Sequence, residues 1–548
     1  MSDLLRMTGM YSGMDTESIV SQLVKTKSTK VTNLKNEQKK LEWKQTAWQD
    51  LNSKIYNMYS KTLSNLRLTS AYSKKSTVSS DSTKATVVAS EGAVNGTQTL
   101  KVNKLAKSGY LTGAKLDGKT TTTTGTDGKD VTKVVNWETT DKLSEIDSNL
   151  TGKTISITTG SGTDAKTTDI EITADMTIND LVAKFKDAGV NASFDTTNQR
   201  FFINSTGTGS AKNFTLTSDD STALASLGLD PNTTYTDING SKNSCVKIEG
   251  QDAEIVLNGA TFVSDSNTFS INGLTINTLG VTDEEISLVT STDYDGIYNT
   301  IKDFLTEYND LINKMDKLYN ADSARKYDML TDDEKDSMTD DEVEQWEDKI
   351  KSALLRKDNS LYNVMNTLTT TMMDGYYENN LSDKQKKNMS ASEISAWYKE
   401  NGGKKHYLSD YGIGTLSYFE AQDNEHHAYH INGDADDEFT STKEDKLKAA
   451  IAEDPEGTAN FFATLCKTLY SKLDETMSES TEYSSIYKVY NDKQLKKDYN
   501  DYTTKISDAE DELNDYEDRW YNKFSKMEVA LSKLQSQTSS ISSMLGSN

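Results

Sequence analysis

The sequence predicts an α+β multidomain fold: a long helical, coiled-coil-like stalk from both termini and a helical bundle, with two β-rich head domains inserted. Three observations carry this. Apolar residues recur at helical spacing over the first seventy and last fifty residues of the 548-residue chain. Between them, from about Thr83 to Val289, the period changes to two. The two ends also carry opposite charge.

The last helix is expected from Tyr502 to Leu545, with a stripe through Ile506, Ala509, Leu513, Tyr516, Trp520, Phe524, Met527, Leu531, Leu534, Ile541 and Leu545. Its steps alternate between three and four until Tyr516, Trp520 and Phe524, which follow at four, a stutter that locally relaxes a supercoil. A matching stripe from Thr16 to Leu68 runs through Val20, Val24, Val31, Leu34, Leu41, Trp48, Leu51, Ile55 and Leu66. Between Asp15 and Lys75 there are twelve Lys or Arg against five acids, whereas Asp498 to Arg519 holds nine acids against Lys505 and Arg519. Opposite flanks favour side-by-side packing. A fifty-residue helix is about 75 Å long, too long for the core of one globule, so the ends read as a leg.

Taken in order, residues 1 to about 15 have no helical stripe and are expected to be ordered only by a partner. Residues 1–40 and 505–548 form the terminal leg; 41–75 and 291–504 form the helical bundle. Residues 76–111 and 244–290 form one β-rich domain, and 112–243 a second inserted into it. Alternation in Thr99 to Val102 and Thr154 to Thr158 marks half-buried strands. Asn-Gly pairs at Asn95, Asn239, Asn258 and Asn272, with Asp117-Gly118 and Asp127-Gly128, mark tight turns, because the favoured hairpin turn needs positive φ at both central positions. One short helix, Asn179 to Ala188, points Leu181, Val182 and Phe185 inward and stops at Gly189. Further helices are expected from Ile297 to Met315 and at Asp341–Leu355, Ser360–Tyr377, Ala391–Lys399, Lys443–Ala452 and Glu456–Met477. Pro455 lies where one helix ends and the next begins.

Apolar residues make up only 34% of the chain and mean hydropathy is −0.69, as in thin domains with much solvated surface. A net charge of −25 disfavours nucleic acid and anionic membranes as partners. No run approaches a membrane span, so membrane insertion is not expected. Met1 to Val20 lacks the pattern of a cleaved secretory signal. These rules alone place the chain in the cytoplasm. Cys245 and Cys466 read as two independent buried thiols.

No catalytic residue, metal ligand or cofactor site is expected. His426 and His430 have the i, i+4 spacing of a metalloprotease helix, but His427 stands where the catalytic Glu belongs, and Gly433 and Asp434 suggest a loop. Asp434, Asp436 and Asp437 lack the glycine of a calcium loop. Phosphate-binding, dinucleotide-binding and nucleophile-elbow motifs are missing. Trp43, Trp48 and Trp520, on or beside the stripes, read as packing residues. An enzyme would need a paired nucleophile and base.

The opening Met10-Tyr11-Ser12-Gly13-Met14-Asp15-Thr16-Glu17-Ser18-Ile19-Val20 closely resembles the start of the hook-associated protein 2 family, the caps of flagellar filaments. The resemblance continues through Lys44, Ala47, Trp48 and Leu51, then Lys302-Asp303-Phe304, Tyr308-Asn309-Asp310-Leu311 and Leu354-Leu355-Arg356-Lys357-Asp358. It resumes from Asp445-Lys446-Leu447 through Asp454-Pro455-Glu456 to Phe461-Phe462, and ends in Tyr521, Phe524, Met527 and Glu528. Both helical ends match strongly and the β head weakly. Residues 379 to 405 look like an addition to the family pattern, and the histidine-containing loop replaces the usual Gly-x-Leu.

The resemblance implies a secreted protein, exported by the flagellar machinery without a cleaved signal. It implies a homo-oligomeric ring at the distal tip of the flagellum, with Ser12, Gly13, Met14 and Asp15 as a family motif. The legs would contact flagellin, and the ring would retain emerging subunits and promote their folding and incorporation. The alternative is a surface adhesin whose β head binds host mucin or glycans, although no aromatic platform in residues 112–243 argues for it.

Overall fold

The computed structural model describes residues 12–124, 126, 129–236, 242–381 and 383–546. The first eleven residues, the turn at Asn239 and the Asp127-Gly128 pair lie outside these. The fold is α+β, with long helices at both ends and antiparallel sheets between them. One compact unit comprises the residues up to Ser73 and those from Tyr294 onward; the other runs from Lys74 to Asp293.

In the first unit, helix α1 (Thr16–Asn57) begins where the Asp15 carboxylate accepts the Ser18 amide, an N-cap that satisfies one of the orphan donors. The chain continues through a π-helical turn, Met58–Leu63, to Leu66. Its sequence reads as α-helix, but the wider turn lets Met58, Tyr59 and Leu63 all reach the interior. The bundle comprises α2 (Tyr294–Tyr319), α3 (Asp332–Asp336), α4 (Asp340–Ser352), α5 (Asn359–Met373), α6 (Asp383–Lys386), α7 (Ala391–Asn401), α8 (Lys446–Glu453) and α9 (Pro455–Met477). Pro455 opens α9 with Asp454 as its cap, the Asp454 carboxylate accepting the Gly457 amide at 2.9 Å. The last helix, α10, spans Asp492–Leu545 and is about 80 Å long. It starts ten residues before Tyr502 because Leu495 extends the stripe and packs against the bundle core.

That core joins Trp48, Leu51 and Ile55 of α1 to Ile301, Phe304 and Tyr308 of α2, Leu361 and Leu368 of α5, and Phe462, Leu465 and Leu469 of α9. No break in α1 falls at residue 40, nor in α10 at 505. Leg and bundle are one continuous body, because the same two helices build both.

The second unit has two apolar cores. One, from residues 85–106 and 253–288, lies beside a five-stranded antiparallel sheet in the order Lys75–Ser79, Ile286–Thr292, Gly96–Lys104, Ala253–Leu257, Ala260–Ser264. Two-residue turns at Asn258-Gly259 and Asn272-Gly273 have positive φ at both positions, 50° and 81°, then 46° and 80°, so these pairs fix hairpin register as expected. Asn95-Gly96 instead leads into a strand without a hairpin. The other core runs from Leu111 to Cys245. There the helix Ile178–Asp187, capped by a reciprocal Thr177–Asp180 box, buries Leu181, Val182 and Phe185.

Candidate functional site

The two ends of the chain meet along their length. Polar partners fix α1 and α10 as antiparallel: Ser12 pairs with Glu528, Lys27 and Lys30 with Glu512, Lys35 with Glu510, and Gln38 with Thr503. Each step toward the C-terminus on α1 is a step toward the N-terminus on α10. The excess of bases on one helix and acids on the other thus becomes specific pairs.

Val20, Val24, Val31 and Trp48 are buried on α1, with Leu34 and Leu41 half-buried. On α10, Ile506 is buried, and Leu513, Trp520, Phe524, Met527 and Leu531 are half-buried. Leu534 is 58% exposed and Ile541 56% within the single chain: among the described residues Ser12 reaches only the level of Glu528, and α10 runs on beyond it.

The stutter has a structural counterpart. Tyr516, Trp520 and Phe524 form a ladder with ring centroids 6.2 Å apart at each step. Lys523 lies 4.3 Å over the Trp520 ring. Small buried side chains on α1 (Thr16, Val20, Val24) leave room for large rings on the facing helix. The same four-residue row continues to Glu528, which is 2% exposed. Its carboxylate accepts the Ser12 amide at 3.3 Å and the Ser12 hydroxyl. The Ser12 hydroxyl accepts the Met14 amide in turn, Gly13 turns the chain with φ +67°, and Asp15 caps α1. Two separate stretches of the family pattern, 516 positions apart, are one contact.

Charge pairing leaves its mark on Glu512. Hydrogen bonds from Lys27 and Lys30, reinforced by their charges, pull its carboxyl down to about 2. These groups are exposed, so each pair holds the helices together only weakly.

At the bundle end the clasp is tighter. Trp48 stacks on Tyr490, centroids 5.0 Å apart and planes 5° from parallel. Asn52, 3% exposed, donates to the Tyr487 carbonyl at 3.1 Å and accepts the Val489 amide at 3.0 Å. These bonds hold the strap that precedes α10, where Tyr487 has φ +63°. Tyr59 donates to Asp474 at 2.6 Å; burial first, then that carboxylate, push its phenol up. Lys44 pairs with Asp358 at 2.9 Å.

Sequence reasoning missed Asn52, Tyr490 and the role of Glu528. Only Glu528 carried a signal: it is the next rung of the four-step aromatic row, an acid where an apolar residue is expected.

Of the histidines weighed as metal ligands, His426 stacks on Tyr418 at 4.7 Å and His430 Nδ1 lies 2.7 Å from Asp437, while His426 Nδ1, His427 Nδ1 and His430 Nε2 are buried with no hydrogen-bond partner among the described residues. Asp434 and Asp436 both accept from Lys302, at 2.7 and 2.6 Å. Among the described residues no three His, Cys, Asp or Glu stand in a metal-binding group, and no helix is long and apolar enough to cross a membrane. Cys245 and Cys466 are free and buried.

Residues 12–109 match the family model for the N-terminus of flagellar hook-associated protein 2, and residues 250–536 that for its C-terminus. Among similar proteins, flagellar hook-associated protein 2 of Halalkalibacterium halodurans is 24% identical over 586 aligned residues, covering 98% of this chain and 99% of the relative. The Thermotoga maritima protein of that name is 26% identical, covering 69% of this chain and 53% of the relative. The A-type protein of Pseudomonas aeruginosa is 28% identical, covering 57% and 63%. A crystal structure of three domains of the Escherichia coli flagellar cap protein aligns over 80% of this chain and 97% of its own, with 19% identity and a TM-score of 0.47. With its C-terminal model spanning more than half of the residues and its N-terminal model the clasped opening, the chain belongs to the flagellar hook-associated protein 2 family.

Proposed function

We propose that this protein is a structural, non-enzymatic cap at the distal tip of the bacterial flagellar filament. Copies assemble into a ring, retain exported flagellin and promote its folding and incorporation. The chain reaches the tip through the flagellar export machinery. The observation that carries the reading is the clasp itself. The family-matched ends form one leg whose distal half is held by exposed pairs and half-buried rings, and whose proximal half is locked into a core. Such a leg can loosen and re-dock at its tip without unfolding its base, as a cap must when each new subunit is inserted beneath it. Val20, Val24, Val31, Leu34 and Leu41 on one helix, and Ile506, Leu513, Trp520, Phe524, Met527 and Leu531 on the other, are the packing residues of this leg. Leu534, exposed here, is available to a neighbouring copy or to flagellin.

Deleting residues 1–40 and 505–548 spares Trp48, Asn52 and Tyr490, so the remaining chain keeps its fold by circular dichroism yet fails to support filament growth in a cap-deficient strain. Normal swimming by a strain carrying the doubly truncated protein refutes the reading. Mass measured across a concentration series tests the ring independently.

A further inference from the structure

The bundle contains a duplication. The stretch LTDDEKDSMTDDEVEQW beginning at Leu330 recurs as LSDKQKKNMSASEISAW beginning at Leu381, with a constant offset of 51 residues and no gap. Identical residues fall at the Leu, Asp, Lys, Met, Glu and Trp positions, and most remaining apolar or capping positions are conservatively exchanged. The second copy falls within the segment that departs from the family pattern.

The two copies fold alike. In the first, α3 turns into α4; in the second, α6 turns into α7. The Met338 amide donates to Lys335 and that of Val343 to Thr339, while the Met389 amide donates to Lys386 and that of Ile394 to Ser390, each between 3.0 and 3.1 Å. The second helix of each copy opens with a reciprocal capping box, Thr339–Glu342 and Ser390–Glu393. From 333 to 349 and from 384 to 400, every matched position is equally exposed or half-buried.

What differs is the charge on that shared surface. Asp333, Asp336 and Asp348, all exposed, are replaced by Lys384, Lys387 and Lys399, also exposed. Asp340, Asp341 and Glu344 become Ala391, Ser392 and Ser395. The first module holds ten acids against Lys335 and Lys349, whereas its duplicate keeps the shape with four lysines against Asp383, Glu393 and Glu400. Among the described residues no salt bridge joins them; Glu347 of the first module pairs with Lys335 at 2.9 Å, and Lys351, just beyond the module, pairs with Glu347 and Asp348.

We propose that the acidic module at 330–349 of one copy of this chain docks against the lysine-bearing module at 381–400 of the next, through Lys384, Lys387 and Lys399. A contact between two different patches is head-to-tail, the kind that closes a ring when the rotation fits. Complementary charge would set the partner and the register, and would make assembly sensitive to salt. The proposal rests on the oligomeric reading above and assigns it a surface.

The test uses two full-length variants and sedimentation velocity. One carries Asp333→Lys, Asp336→Lys, Asp340→Lys, Asp341→Lys and Asp348→Lys, so lysines outnumber acids in both modules; the other carries Lys384→Asp, Lys387→Asp and Lys399→Asp, so acids outnumber lysines in both. Each alone should associate roughly tenfold or more weakly than wild type, and an equimolar mixture should recover wild-type association. Recovery on mixing also shows that both variants are folded. Wild-type association by either variant alone, or no recovery from two variants with wild-type circular dichroism, overturns the docking and leaves the ring standing if the wild type assembles. A wild type that stays monomeric at every concentration and salt overturns both.

Discussion

Asn52 is the residue whose replacement separates the locked base of the leg from its loose tip. Its side chain spans the gap between α1 and the strap before α10, giving one bond to the Tyr487 carbonyl and taking one from the Val489 amide. Asn52→Leu preserves size but orphans a carbonyl and an amide, and Val489 is itself 7% exposed. An unpaired buried polar group costs about 1–3 kcal/mol, so the two together cost roughly 2–5 kcal/mol. Asn52→Asp keeps the acceptor and loses the donor, so it should cost less near neutral pH. The assay is urea denaturation followed at 222 nm, with pulse labelling of the buried Cys245 thiol reporting the second unit. At a slope of about 3 kcal/mol per molar urea, Asn52→Leu should lower the first-unit midpoint by roughly 1 M, with the transition reported by Cys245 unmoved. A shift below about 0.2 M, or an equal shift of both transitions, refutes the role given to this side chain.

Trp48→Ala removes a fully buried ring and its stack on Tyr490, so a loss of about 3–5 kcal/mol is expected in the same denaturation experiment. Glu512 supplies a pH test. Its carboxyl is held near 2, below its ordinary value of 4.5, so its contribution is present above pH 4.5 and is lost as pH falls toward 2. The difference in stability between wild type and Glu512→Gln should therefore be constant from pH 7 to 5 and vanish by pH 2, and raised salt should shrink it at pH 7. Burial pushes the Cys245 thiol up to about 11 and that of Cys466 to about 12. Neither should react with a thiol reagent at pH 8 until urea unfolds its unit, as mass spectrometry of the labelled chain will show.

Periodicity exposed much of this molecule because its helices are long and amphipathic and its hairpins carry specific turn chemistry. Helix α9 begins at Pro455, and the turns at Asn258 and Asn272 have the backbone their side chains and glycines favour. Errors arose where packing overrode pattern. Helical spacing through Met58 and Leu63 cannot reveal a π-helical turn, since apolar residues suit both. The bounds at 40 and 505 have no counterpart in the helices, since α1 and α10 pass through both without interruption. The duplication was legible throughout as a constant offset of 51 residues, hidden because reversed charges dilute identity.

Taken alone, the sequence determined that both ends are helices with apolar stripes and opposite charge, and that the middle is sheet. Those are local properties, written in spacing and composition. The tertiary structure decided direction and register: that the helices run antiparallel, that Ser12 meets Glu528 across 516 positions, and that Asn52 ties down the strap before α10. A stripe states that a helix needs a partner but is the same read from either end, and only the closing of the chain selects which residues meet.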